Sequence, residues 1–217
     1  MELKIVDKLK KRRHREIALL QDLLIDVLYE VFPKAVLHGG TAIWRCYRGN
    51  RFSEDIDVYL SKKELSKINL FKERLKQKGF EIKKFKQTEN AVYAKLSFRG
   101  VEISFESSFL SMRNKRVVVK PYETIDGNRV NVFTLNPEDL LKEKVESYLS
   151  RRLIRDLYDI YILLSYVEDE EEVKPYLKRL LSEYRKPKDE NILKALVFVG
   201  AVPTSQQMLE EVKRWVR

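Results

Sequence analysis

The sequence predicts an α+β fold: a mixed sheet with helices packed on it, then a helical C-terminal part. Three observations carry that expectation. Apolar residues recur at helical spacing between Ile17 and Val31, the pattern of an amphipathic helix. Strand-like runs at 80–85, 91–98, 101–105, 116–120 and 130–134 follow in close order, and two of their connections, Arg99-Gly100 and Asp126-Gly127-Asn128, carry the glycine that hairpins use. From Asn136 onward the apolar spacing is helical to Arg217.

The opening helix presents Ile17, Leu20, Leu24, Val27, Leu28 and Val31 on one face and stops at Phe32-Pro33, because proline has no N–H to continue it. Ala35-Val36-Leu37 is a short strand running into Gly39-Gly40. Thr41 to Tyr47 reads as helix, Gly49-Asn50 as a turn, and Phe52 to Leu60 as a strand. Ser61 and Glu64 match a capping box ahead of a helix carrying Leu65, Ile68, Phe71 and Leu75, which Gly79 ends. Asn136 is placed to cap the next helix, with Pro137 at its first position and Asp139 three residues after the cap. Thr204 and Gln207 form a second capping box. The pattern divides the chain near residue 135, into an α/β core with its N-terminal helix (1–135) and a helical part packed on it (136–217).

A chain of 217 residues can bury one sizeable core, whereas two independent domains would be cramped. With 44% hydrophobic and 35% charged residues, it has the composition of an ordered protein. The excess of 43 Lys+Arg over 33 Asp+Glu, a net +10, favours a polyanionic partner such as a nucleotide or a nucleic acid. One cysteine, Cys46, excludes an internal disulfide framework and reads as core. His14 and His38 are too few and too far apart for a histidine metal site or a Ser/His/Asp triad. No run of about 18 apolar residues can span a bilayer and no secretory cleavage pattern follows the basic N-terminal segment, so a cytoplasmic protein without membrane contact is expected.

The chemistry concentrates in HGGTAIWRCYRGNRFSEDIDVYL, His38 to Leu60. On a strand, residues two apart share a face, so Asp55 and Asp57 point one way while Ile56, Val58 and Leu60 point into the core. Two carboxylates about 7 Å apart can converge on divalent ions. Gly39 and Gly40, between a strand and a helix, let backbone N–H groups approach a phosphate at a helix N-terminus. Acid pair and glycine turn together suit metal-assisted nucleotidyl transfer.

This stretch resembles the first motif of the AbiEii/AbiGii-type nucleotidyltransferase toxins, within the DNA polymerase beta-like superfamily; the segment Arg51-Phe52-Ser53-Glu54-Asp55-Ile56-Asp57 is close to the AbiEii form. A second block, NPEDLLKEKVESYLSRRLIRDLYDIYILL (Asn136 to Leu164), is similar to that branch's downstream signature of a helical lysine and an Arg-Asp-x-x-Asp helix. The resemblance implies a polymerase beta-like nucleotidyltransferase core, with Mg²⁺ (or Mn²⁺) as cofactor and an NTP as substrate. It implies catalytic and metal roles for Asp55, Asp57 and a third carboxylate. Glu102 and Glu106 both stand opposite Val101, Ile103 and Phe105 by alternation; the family pattern favours Glu102, leaving Glu106 exposed. By the same resemblance Gly39, Gly40, Ser53 and Lys144 hold the nucleotide phosphates, with Lys142 as the fallback for Lys144, and Asp159 joins the catalytic set. For Asp156 and Asp159 the residues alone also allow structural pairing with Arg152 and Arg155 at helical spacing, and Arg51 reads equally as a surface charge or a phosphate contact.

The expected activity is therefore transfer of an NMP from an NTP to an acceptor hydroxyl. The resemblance implies the toxin of a toxin–antitoxin or phage-defence pair, a cognate antitoxin as partner, and an RNA acceptor such as a tRNA 3′ end. A protein hydroxyl or a small molecule such as an aminoglycoside is the open alternative. The basic run at Lys8, Lys10, Lys11, Arg12, Arg13 and Arg15 reads as a solvated helix face or an RNA dock. The rival from another class is a nucleic-acid-binding or regulatory protein on the same fold, its acids a structural remnant.

Overall fold

A computed structural model of the chain describes residues 4–109 and 114–217. A short helix α1 (Ile5–Lys8) precedes the long α2 (Arg12–Val31), whose expected apolar stripe is buried throughout. Strand β1 (Val36–His38) leads directly into α3 (Gly39–Cys46), and β2 (Ile56–Tyr59) follows. After a 3₁₀ turn at Lys62–Lys67 comes α4 (Ile68–Gln77), which buries Ile68, Phe71 and Leu75. The capping box expected at Ser61 and Glu64 does not form. Ser61 makes no side-chain cap bond, and only the Glu64 N–H reaches back, to the Ser61 carbonyl; the tighter 3₁₀ turn moves the α-helix start beyond their reach.

Five further strands complete the sheet: β3 (Glu81–Gln87), β4 (Ala91–Phe98), β5 (Val101–Ser108), β6 (Val117–Glu123) and β7 (Arg129–Leu135). The β4–β5 hairpin turns on Arg99 and Gly100, both at positive φ (49° and 81°), the conformation that a tight primed turn requires. The described residues form one seven-stranded mixed sheet in the order β3-β4-β5-β2-β1-β7-β6. At its centre β1 is antiparallel to β2 and parallel to β7, while β2 is parallel to β5.

The chain leaves the sheet at Asn136, whose side chain accepts the Asp139 N–H and caps α5 (Pro137–Arg151). Then follow α6 (Ile154–Leu164), α7 (Glu170–Ser182), α8 (Leu193–Leu196) and α9 (Ser205–Val216), the last with the capping box between Thr204 and Gln207. Buried residues on both sides of position 135, among them Leu28, Val58, Phe105, Leu141, Leu157 and Met208, belong to one continuous apolar cluster. Cys46 lies in that cluster, and burial pushes its thiol up to about 12, which leaves it inert. Among the described residues no helix is long and apolar enough to cross a membrane.

Candidate functional site

The central strands bring the first motif together. His38, the last residue of β1, pairs in register with Asp57 on β2, so both stand where the chain turns into α3. Gly39 takes φ +70°, and a Cβ there would run into the Asp57 carboxylate. At Gly40 a Cβ would lie 2.6 Å from both Ser53 Oγ and Arg51 Nη2. Glycine is needed at both positions because side chains from the following loop and strand press against the backbone. That loop is fixed from behind: Gln21 Nε2 donates to the Ser53 carbonyl (2.7 Å), and the Thr41 hydroxyl donates to the Asp55 carbonyl.

Asp57 lines a cleft of about 800 Å³ with His38, Gly39, Glu106, Lys144 and Arg151. Its carboxyl is held above the ordinary range, first by burial and then by the charge of Asp55, against the pull of His38, Lys144 and Arg155. Glu106 stands beside it, since β2 and β5 pair with Asp57 opposite Glu106, on strands about 4.8 Å apart. Glu106 is exposed, as expected, yet partial desolvation, then Asp57 and Asp55, push its carboxyl up as well. None of these three carboxylates forms an ion pair among the described residues.

Glu102, the carboxylate expected in this group, stands elsewhere. It lies on the same strand face as Glu106 but four residues back, roughly 13 Å along the strand. Strand β5 begins before β2 does, so Glu102 has only β4 beside it, where it is exposed and bonds Lys95 Nζ at 2.7 Å. Lys95, first by its hydrogen bond, lowers the Glu102 carboxyl. Alternation gave the face correctly; the register between β2 and β5 puts Glu106, not Glu102, next to the aspartates.

The second motif forms the opposite wall. Lys144 is buried on α5, its Nζ 2.8 Å from Asp159 Oδ2 and 3.8 Å from Asp156 Oδ1. Asp159 also receives both forks of Arg51, at 2.8 and 2.7 Å. Burial alone would raise the Asp159 carboxyl, but Arg51 and Lys144 overcome it and hold it below its ordinary value. Asp156, fully buried, is held by two bonds from Arg151 at 2.7 Å. The pairings expected from helical spacing, with Arg152 and Arg155, are thus replaced by Arg151 and by Arg51 from a distant loop. Lys142 also lines the cleft, but its amine is paired with Asp139 (3.1 Å) and Glu172 rather than with Asp159.

A third group had no reading in sequence. His38 stacks on Tyr59 with ring centroids 3.9 Å apart, and its Nδ1 lies 3.2 Å from Glu143 Oε2. Tyr59 donates to Glu143 Oε1 at 2.7 Å, and Lys115 pairs with the same oxygen. These partners outweigh the upward push of burial and bring Glu143 down to about 2. The available signals were weak: Tyr59 shares the strand face of Asp57, and Glu143 precedes Lys144.

An all-oxygen donor set of two aspartates and a glutamate suits Mg²⁺ or Mn²⁺. Among the described residues no group of three His, Cys, Asp or Glu stands close enough together to hold a metal ion, so the protein's own side chains would supply at most one or two ligands to any one ion.

Three solved structures resemble the fold, each with a TM-score of 0.60. The structure of a putative nucleotidyltransferase from H. pylori is 20% identical and the match covers 92% of this chain and 94% of that one. JHP933 from Helicobacter pylori is 20% identical over 92% and 91% of the two chains. MenT4, a nucleotidyltransferase toxin from Mycobacterium tuberculosis, is 16% identical over 94% and 87%. No curated protein matches the sequence. The family described as nucleotidyl transferase AbiEii toxin, type IV TA system, matches residues 22–212, a span that takes in both motifs and nearly every element from α2 to α9. The chain belongs to the AbiEii family of nucleotidyltransferase toxins.

Proposed function

We propose that the protein transfers a nucleoside monophosphate from an NTP to an acceptor hydroxyl and releases pyrophosphate, as the toxin of a toxin–antitoxin pair with a cognate antitoxin as partner. One observation carries the reading: Asp55, Asp57 and Glu106 lie near one another, form no ion pair among the described residues, and stand beside a glycine turn at a helix N-terminus. Carboxylates whose charges oppose one another cost stability unless a ligand uses them.

Asp55, Asp57 and Glu106 would hold divalent ions, with Mg²⁺ the expected species. When bound, such ions neutralise the triphosphate and lower the pKa of the attacking hydroxyl. The α3 N-terminus, with the N–H groups that follow Gly39, is placed for phosphate oxygens, and Ser53 lies against Gly40 to add a hydroxyl donor. Lys144 supplies a cation at the cleft, oriented by Asp159, which Arg51 fixes in turn. Asp159 is thereby a positioning residue rather than one that meets the substrate. In the reaction the acceptor oxygen bonds to the α-phosphorus, the bond to the bridging oxygen breaks, and pyrophosphate departs. Net positive charge and family membership favour RNA, such as a tRNA 3′ end, as acceptor, in the cytoplasm.

The test is incubation of the protein with each labelled NTP, Mg²⁺ and total RNA. Label on a discrete RNA species, lost in Asp57→Asn and on chelation, is the expected result. Tight RNA binding indifferent to metal, with no label on any acceptor and no metal-dependent NTP binding by calorimetry, overturns the reading in favour of a non-catalytic binding protein.

A further inference from the structure

A second cleft, of about 650 Å³, opens on the other side of the last turn of α5, lined by Tyr148, Arg152, Tyr184, Arg185 and Lys188 among others. The two clefts meet at this turn: Ser147 and Arg151 line the first, and Tyr148, Leu149, Ser150 and Arg152 line the second. Three cations converge on the second cleft, and no ion pair of Arg152, Arg185 or Lys188 forms among the described residues. Glu183, also on its rim, is held by Arg179 at 2.9 Å.

The convergence is built by the backbone. Arg152 closes α5 in the left-handed conformation, φ 57°, a position where glycine is usual and a long cationic side chain is not explained by local geometry. Its carbonyl accepts the Lys188 N–H (3.0 Å), and Tyr148 donates to the Arg185 carbonyl (2.8 Å). Those bonds clamp the segment after α7 against the α5 corner, while Tyr184 stacks on buried Tyr148 with ring planes 10° apart, stays half-buried and lines the cleft. Unpaired cations flanking a fixed aromatic ring are the elements from which sequence-tolerant single-strand sites are made: phosphates meet the charges and a base stacks on the ring.

The N-terminal basic run differs in this respect. Arg15 is spent on the Leu9 carbonyl (2.6 Å), Arg12 on Glu16 (2.7 Å) and Lys11 on the Ala195 carbonyl (3.3 Å). Charge there is partly committed to the fold, whereas in the α5 cleft it is not.

We infer that the cleft formed by Arg152, Tyr184, Arg185 and Lys188 binds a single nucleic-acid strand, and that it guides the acceptor strand past the end of α5 into the transfer cleft. The second half of this statement rests on the proposed activity; the first does not. The probes are a labelled single-stranded RNA oligonucleotide and DNA of the same sequence, titrated with the full chain over a range of salt. The triple variant R152Q/R185Q/K188Q is expected to lower the salt slope by roughly 0.7 for each phosphate that is no longer neutralised, about 2 in all. Tyr184→Ala should weaken binding by about tenfold with the slope unchanged. Calorimetric binding of NTP with Mg²⁺ should be the same in both variants as in the parental protein, which also shows that they fold. RNA bound more tightly than DNA identifies the strand as RNA; equal binding leaves the shared chemistry. A parental slope in the triple variant overturns the cleft, as does tighter binding of a polyglutamate peptide than of either oligonucleotide, which would make this a protein-facing surface. Should the slope fall as expected while no NTP-dependent labelling is found in the parental protein, the activity fails and the strand site stands.

Discussion

The two walls of the cleft beside Asp57 treat acids in opposite ways. On the sheet wall Asp57 and Glu106 stand side by side near Asp55, none of the three forms an ion pair among the described residues, and Asp57 and Glu106 are both harder to ionise than usual. On the helical wall Asp156 and Asp159 are more deeply buried, yet each is gripped by an arginine and shares Lys144. The difference teaches that carboxylate count alone says little. Partnered, buried acids tie the helical wall together, whereas the acids of the sheet wall repel one another, as the proposed metal-binding role requires.

The strongest way to break the comparison is to swap the expected outcomes. Asp57→Asn should abolish transfer, by about 10³-fold or more given a metal contribution of several kcal/mol, while leaving the fold as stable as before or more so at neutral pH. The sign follows from its raised carboxyl. Such a group contributes stability that is fully present below its ordinary value of 3.8 and lost as pH rises through the folded value. Urea unfolding against pH should therefore show the variant gaining on the parental chain above about pH 4. A variant that loses stability at neutral pH would place Asp57 among the structural acids.

Asp159→Asn should do the reverse, unfolding the wall first. Removing one charge from a buried pair costs about 3–5 kcal/mol because the partner is left uncompensated, here Arg51 with Lys144. Its lowered carboxyl gives the opposite pH sign: stability present above the ordinary 3.8 is lost as pH falls through the folded value. Denaturant melts at pH 7 check the size. A variant as stable as the parent but inactive would turn Asp159 from a positioning residue into one that meets the substrate.

Much of this arrangement was legible in the sequence where the cause is local. The opening helix, the hairpin at Gly100 and the Asn136 cap depend on neighbours within a few residues, and all three form as expected. The glycine turn was likewise read from one short stretch, whereas the strand expected over Phe52 to Leu60 forms only at Ile56–Tyr59, so Asp55 lies in the loop ahead of it rather than on the strand face of Asp57. Arg51 remained undecided because its partner, Asp159, lies 108 residues away, and no spacing rule reaches that far. His38 looked isolated in sequence because Tyr59 and Glu143 reach it only through the sheet and α5. Ser61 and Glu64 failed for another reason: the motif was present, but the 3₁₀ turn gave it a different backbone to act on.

Lys144 tests where the two walls meet. Lys144→Ala leaves Asp159 with Arg51, so the fold should survive, while NTP binding should weaken by about 1.5–3 kcal/mol, the contribution of a charge-assisted bond. Lys142→Ala, aimed at Glu172 and Asp139, should leave calorimetric NTP affinity unchanged. Equal losses would mean that general charge, rather than a directed amine, serves the nucleotide.

The smallest expected effect is also the sharpest on register. Glu102 and Glu106 are the same residue type on the same face of the same strand, and only the pairing of Asp57 with Glu106 separates them. Glu106→Gln should slow transfer by about 10²-fold, since it removes a charge from the proposed metal-binding group. Glu102→Gln gives up an exposed bond to Lys95 and should leave the rate within about twofold, as surface changes do. The measurement is initial rate at saturating NTP over a Mg²⁺ titration, in which Glu106→Gln should also need more metal for half-maximal rate and Glu102→Gln should not. If Glu102→Gln proved the slower enzyme, β5 would have to slide by four residues against β2 in the working state. Such a slide keeps every side chain on its face but moves Phe105 out of its place beside Ile56 in the core, so the rate pair reads the strand register directly.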